Sequence, residues 1–234
     1  MRDRVWLLML VLASGFAVGL WWMPEASTKT KALFVACLAA SWVATVALTW
    51  RRARLRWALL GGPFVLISAA LLTPQATPPE RLQSQYLTEL RRYDGTPYVW
   101  GGENARGIDC SGLVRASLVT ASWKTGLVRH ALELWWFDAS ARALGEGYRE
   151  WTHEVTAADS FNALDMTLVQ PGDLAVTQDG LHVLAFLGDL TWIQADPTPM
   201  RTHLDTLGGA PPSGWFVVPI RVVRWRVLEP APPE

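Results

Sequence analysis

The chain has 234 residues, half of them hydrophobic, with 21 basic against 21 acidic side chains and two cysteines. Its formal charge of zero hides a division: residues 1–79 carry 8 basic and 2 acidic residues, residues 80–234 carry 13 and 19. An acidic second part argues against nucleic-acid binding, which needs clustered positive charge. One thiol in each part, Cys37 and Cys110, argues against a disulfide scaffold.

Three apolar runs come first: Val5–Met23, Ala32–Trp50 and Trp57–Thr73, the last interrupted by Pro63. A spanning helix needs roughly 20 apolar residues, so residues 1–73 are predicted to form three transmembrane helices, at about 5–23, 32–50 and 57–73. Trp21, Trp22, Trp50 and Trp57 stand at their ends, where amphipathic rings prefer the headgroup layer. Arg2, Arg4 and the loop Arg51–Arg56 place the N-terminus and that loop in the cytoplasm by the positive-inside rule. Three crossings then leave everything after them outside. A cleaved signal peptide in place of the first run would leave a two-helix hairpin and the same outward domain. Ionisable groups are nearly absent from the runs, so the expected role is an anchor in the lipid bilayer rather than transport.

A proline-rich linker follows at residues 74–80, and residues 81–234 are expected to form one compact domain. Leu82, Tyr86, Leu90 and Tyr93 recur at helical spacing, with Gly95 as a stop. Gly102 and Gly107 then make a G-x-x-x-x-G, but Ile108 and Asp109 follow where a phosphate loop needs Lys and Ser/Thr. Asp109 is a suitable N-cap for a helix opening at Cys110. Unpaired amides there favour an anion, and the thiolate is the form that attacks. Gly112 would let a neighbouring segment approach closely.

Downstream, Pro171-Gly172-Asp173, Asp179-Gly180 and Gly188-Asp189 read as turns separating three strands. Among His130, His153, His182 and His203, the imidazole of His182 stands at the start of the second strand, and Gln194 lies on the third. Adjacent strands can set them side by side, with Gln194 on one ring nitrogen and the thiol on the other. The tail, residues 214–234, alternates Arg221, Arg224 and Arg226 with apolar residues and reads as a final strand with a frayed proline-rich end. No metal-ligand pattern and no cofactor motif is present, so none is expected.

The stretches Y-V-W-G-G…G-I-D-C-S-G-L-V, Q-P-G-D-L and H-V-L-A-F-L-G-D together resemble the NlpC family of bacterial cell-wall cysteine peptidases, over residues 82–196 or so. The resemblance implies an α+β, papain-like cysteine peptidase domain, with the cysteine-bearing helix packed on an antiparallel sheet, behind the three-helix membrane region. It implies Cys110 as nucleophile, His182 as base and Gln194 as the polar residue orienting it. Tyr98 would assist with oxyanion or substrate, and Asp109 and Ser111 would hold the substrate's polar end. The implied substrate is the peptide stem of peptidoglycan, cut through an acyl-enzyme, by an enzyme in the bacterial inner membrane with its catalytic domain periplasmic or extracellular. Two readings from other classes stand beside it: a non-catalytic scaffold binding wall or partner, and a cysteine-dependent acyltransferase or amidase on lipid or another amide. Gln194 departs from the histidine more usual at the third position. The stretch Arg129–Val155, rich in aromatics, lengthens the spacing between Cys110 and His182; its tryptophans are expected in the core, with a cleft-wall role as the functional alternative.

Overall fold

The computed structural model describes residues 2–72, 77–209 and 214–230. Residue 73 of the third apolar run, residues 74–76 of the predicted linker and residues 231–234 of the proline-rich end lie outside the described residues. The chain divides into two compact units, Met1–Gln75 and Ala76–Glu234.

The first unit holds α1 (Arg2–Trp22), α2 (Thr28–Thr49) and α3 (Ala53–Leu72). Ser27 caps α2, its hydroxyl accepting from the Thr30 amide at 3.3 Å. Ser14 Oγ donates to Ser41 Oγ at 3.1 Å between α1 and α2, and Trp42 Nε1 donates to the Leu59 carbonyl at 3.1 Å between α2 and α3. Large apolar side chains such as Leu8, Phe16 and Leu66 remain exposed. Among the described residues, two helices are long and apolar enough to cross a membrane by length and composition, Asp3–Trp22 and Thr28–Thr49. Two of the three expected spans meet this test. The third, α3, has Arg54 and Arg56 at its start, so its apolar stretch begins only at Trp57.

In the second unit, α4 (Pro79–Arg91) precedes a two-stranded hairpin of β1 (Glu103–Asn104) and β2 (Gly107–Ile108). Next come α5 (Cys110–Lys124), α6 (Val128–Trp136) and α7 (Ala141–Gly145). The strands β3 (Thr152–Ala158), β4 (Leu174–Thr177), β5 (Val183–Gly188), β6 (Thr191–Asp196), β7 (Arg201–Thr206) and β8 (Ile220–Trp225) form one antiparallel sheet in the order β3-β8-β4-β5-β6-β7. The three turn-bounded strands fall at β4, β5 and β6, and the tail strand at β8. The edge strands β3 and β7 were not anticipated from the sequence.

Both faces of the sheet are covered. Along β5, Val183, Ala185 and Leu187 join the cluster built with Leu113, Val114 and Leu118 of α5 and Leu82, Tyr86 and Leu90 of α4. The alternate residues Leu184 and Phe186 join a second cluster with Phe161, Trp192 and Phe216. Two-sided burial explains why this strand reads as a continuous apolar run rather than an alternation. Each fully buried leucine contributes about 2 kcal/mol of transfer free energy, so α5 is fixed on the sheet chiefly by its apolar face.

The aromatic stretch Arg129–Val155 supplies α6, α7 and the start of β3. Trp151 is buried in the main cluster, whereas Trp135 and Trp136 are half-buried. Arg115 of α5 ties this stretch down. Its guanidinium donates to Asp138 at 2.7 Å, to the Leu134 carbonyl at 2.9 Å and to the Phe137 carbonyl at 2.6 Å, and it also pairs with Glu103.

Candidate active site

The site begins with the close approach of two glycines. The Gly102 carbonyl accepts from the Asp109 amide at 3.1 Å, and a Cβ on Gly112 would lie 2.0 Å from that same oxygen. Only a glycine at 112 lets the loop reach the helix. Asp109 then caps α5 with one oxygen and ties down the preceding loop with the other. Oδ1 accepts from the Gly112 amide at 2.6 Å and the Ser111 hydroxyl at 3.1 Å, and Oδ2 accepts from the Gly101 amide at 2.8 Å. In the structure, then, Asp109 and Ser111 hold the helix start together.

Cys110 opens α5 and is buried. Burial, and then the Asp109 charge, push its thiol up to about 12; the Val183 amide and the amides of Ser111 and Cys110 itself oppose the rise. The helix start does favour an anion here, but desolvation outweighs it. Tyr98 lies among the same groups. Burial raises its pKa, followed by the charges of Cys110, Asp109 and Asp196. Its backbone amide is bonded to the Met200 carbonyl at 2.9 Å.

His182 stands immediately before β5, so the residue next to it in the chain, Val183, is the one whose amide faces the Cys110 sulfur. The imidazole is 2% exposed. Its Nε2 is 2.6 Å from Gln194 Oε1 on β6, and its ring stacks on Trp215, centroids 4.1 Å apart and planes 18° apart. Because an amide oxygen only accepts, Nε2 carries the proton and Nδ1 carries the lone pair. Burial lowers the His182 pKa to about 4, with the Gln194 bond and the Asp196 charge acting the other way. The resting pair is therefore a neutral thiol and a neutral imidazole.

The structure brings Tyr98, Asp109, Cys110 and Ser111 together around the start of α5, and His182 and Gln194 together at the β5–β6 end beside it. Three neighbours were not read from the sequence. Asp196 influences both Tyr98 and His182. Asp205, on the unanticipated β7, accepts a hydrogen bond from Gln194 Nε2. Trp215 comes from the single-turn helix Gly214–Val217. Asp196 had a signal, lying two residues after Gln194 and hence on the same face of the strand. Of the other histidines, His130 is bonded to Ser122 at 2.9 Å and His153 is paired with Glu229 at 3.3 Å. Among the described residues, no group of three or more His, Cys, Asp or Glu could hold a metal ion.

A family model, that of the NlpC/P60 family, matches residues 95–217, which include every one of these site residues. No curated protein matches the chain. Among solved structures, the NlpC/p60 domain of the peptidoglycan hydrolase SagA is 21% identical with a TM-score of 0.37, over 60% of this chain and 97% of that one. An NlpC/P60 family protein from Bacillus cereus is 18% identical with a TM-score of 0.43, over 67% of this chain and 42% of that one. The peptidoglycan hydrolase RipB from Mycobacterium tuberculosis is 16% identical with a TM-score of 0.41, over 69% of this chain and 72% of that one. At these identities and TM-scores, residue roles do not transfer from the solved structures to this chain.

Proposed function

The chain belongs to the NlpC/P60 family, with its papain-like α+β domain and antiparallel sheet, and from that premise we propose that it is a membrane-anchored hydrolase of amide bonds in peptidoglycan stem peptides. The observation that carries the reading is the pairing at the site. A thiol at a helix start faces the amide next to His182, whose Nε2 is engaged by Gln194 at 2.6 Å. That engagement leaves Nδ1 as the nitrogen available to take a proton.

In this reading the Cys110 sulfur attacks the carbonyl carbon of the scissile amide while His182 Nδ1 takes the thiol proton. With a thiol pushed up to about 12 and an imidazole near 4, transfer accompanies attack rather than preceding it. The Cys110 backbone N–H and Tyr98 meet the developing oxyanion. His182 returns the proton to the leaving amine, which departs as the carbon–nitrogen bond breaks. Water then attacks the thioester, His182 takes its proton, and the released thiolate is reprotonated.

The anchor follows from the apolar helices of the first unit. With the basic residues Arg51, Arg52, Arg54 and Arg56 held in the cytoplasm, α3 is in this reading the third crossing and leaves the second unit outside, where peptidoglycan lies. Full-length chain in detergent, incubated with purified peptidoglycan, is expected to release fragments whose masses place the cut within the stem peptide. A folded chain that releases none would overturn the reading.

A further inference from the structure

The contacts of His182 do not end at Gln194. Across β6 and β7, Gln194 is directly opposite His203, and Asp205 follows two residues later on the same face of β7. Gln194 Nε2 donates to Asp205 Oδ2, and the same carboxylate oxygen is 2.9 Å from His203 Nε2. The row runs from imidazole to amide to carboxylate to imidazole, with Gln194 fully buried in the middle.

We infer that Asp205 is a positioning residue for His182, acting through the Gln194 amide to fix which nitrogen of the imidazole carries the proton. A glutamine alone cannot do this. Its two ends are nearly the same shape, so a free amide could turn its nitrogen toward His182 and select the opposite tautomer. A carboxylate accepts only, so the amide nitrogen must face Asp205 and the oxygen must face His182. That oxygen demands a proton on Nε2 and leaves the lone pair on Nδ1. His203, on the same carboxylate oxygen, holds Asp205 in place. Charge also passes along the row: the carboxylate polarises the amide, making Oε1 a better acceptor for the proton on His182. The neutral glutamine at this position thereby gains the support of a negative charge one residue further out. This inference rests on the reading of His182 as the base.

The test uses the chain in detergent micelles with 15N-labelled histidine, comparing wild type with Asp205→Leu, which keeps the branching of the aspartate side chain and removes the acceptor. Asp205→Ala serves where the leucine fails to pack. His182 resonances are assigned by their loss in His182→Gln. In the wild type, His182 is expected as a single tautomer, Nε2 protonated and Nδ1 bare. In the Asp205 variant both tautomers are expected, and kcat on peptidoglycan falls about tenfold to hundredfold with KM nearly unchanged, as for loss of a charge-assisted hydrogen bond. Asp205→Asn, which keeps one acceptor oxygen, is expected to fall between the two. A single Nε2-protonated tautomer in Asp205→Leu would overturn the inference, as would an unchanged kcat alongside a tautomer mixture. Should the wild type cleave no peptidoglycan, the hydrolase reading fails on that result, while the tautomer comparison still decides the role of Asp205.

Discussion

Replacing Gly112 by alanine is the sharpest local test of how the site is built. An alanine Cβ there would sit 2.0 Å from the Gly102 carbonyl oxygen, 3.2 Å from its carbon and 3.1 Å from Asp109 Oδ1. Real Cβ contacts essentially never fall under 3.0 Å, so loop and helix must part by about 1 Å. The oxygen displaced is the one that accepts from the Asp109 amide at 3.1 Å, and the neighbouring Gly101 amide holds Asp109 Oδ2 at 2.8 Å. Parting them strains the cap as well as the packing. Overpacking costs about 1–3 kcal/mol and a weakened N-cap about 1 kcal/mol, giving roughly 2–4 kcal/mol in all. For a unit of this size each kcal/mol lowers Tm by about 2–4 °C, so a fall of about 10 °C is expected by circular dichroism of the full-length chain. A 1 Å misplacement of Cys110 should lower turnover about a hundredfold. An alanine variant with wild-type Tm and wild-type turnover would refute this account of the glycine contact.

Two further outcomes follow from buried polar groups. His182 and His130 both have folded pKa values near 4 against an ordinary 6.5, burial being the main cause in each. Between pH 7 and 5.5 the unfolded chain therefore binds protons that the folded chain refuses, and stability falls on acidification. The loss is about 1 kcal/mol per histidine over that window. Urea midpoints at the two pH values measure it; His130→Gln should remove about half, and a flat profile would contradict the buried neutral imidazoles. Arg115→Met takes the cation from beside Glu103 and Asp138 and the donors from two carbonyls. Removing one side of such a buried pair costs about 3–5 kcal/mol, visible as a lower urea midpoint; an unchanged midpoint would show that the α5–α6 junction does not depend on it.

The helices α4 and α5 were legible because their signals are local, whereas α6 and α7, inside the aromatic stretch, were not read. Leu82, Tyr86 and Leu90 recur on one face of α4, and Asp109, Cys110 and Gly112 mark the start of α5 in four consecutive residues. The strands β4, β5 and β6 were delimited by glycine-containing turns. Both sheet edges escaped notice for one reason: β3 and β7 bury few side chains, so T-H-E-V-T-A-A and R-T-H-L-D-T show no apolar alternation. Asp205 and His203 ride on β7, so their place beside Gln194 depends on a strand pairing that composition does not announce. The electrostatic state of the thiol was equally hidden. A helix start suggests a stabilised anion, but the depth of burial that outweighs it is set by packing from α4, α5 and the sheet together. In the first unit, the apolar run at Trp57 was visible, whereas the inclusion of Arg54 and Arg56 in the same helix was not.

Cys110 and His182 are proposed to act together in cutting peptidoglycan peptides. Purified peptidoglycan should be digested with full-length wild type, Cys110→Ala and His182→Gln side by side, and the soluble fragments identified by mass. New stem-peptide fragments are expected from the wild type and none from either variant, with all three chains showing the same folded circular dichroism spectrum. Equal fragment yields from wild type and a folded Cys110→Ala would contradict the proposal.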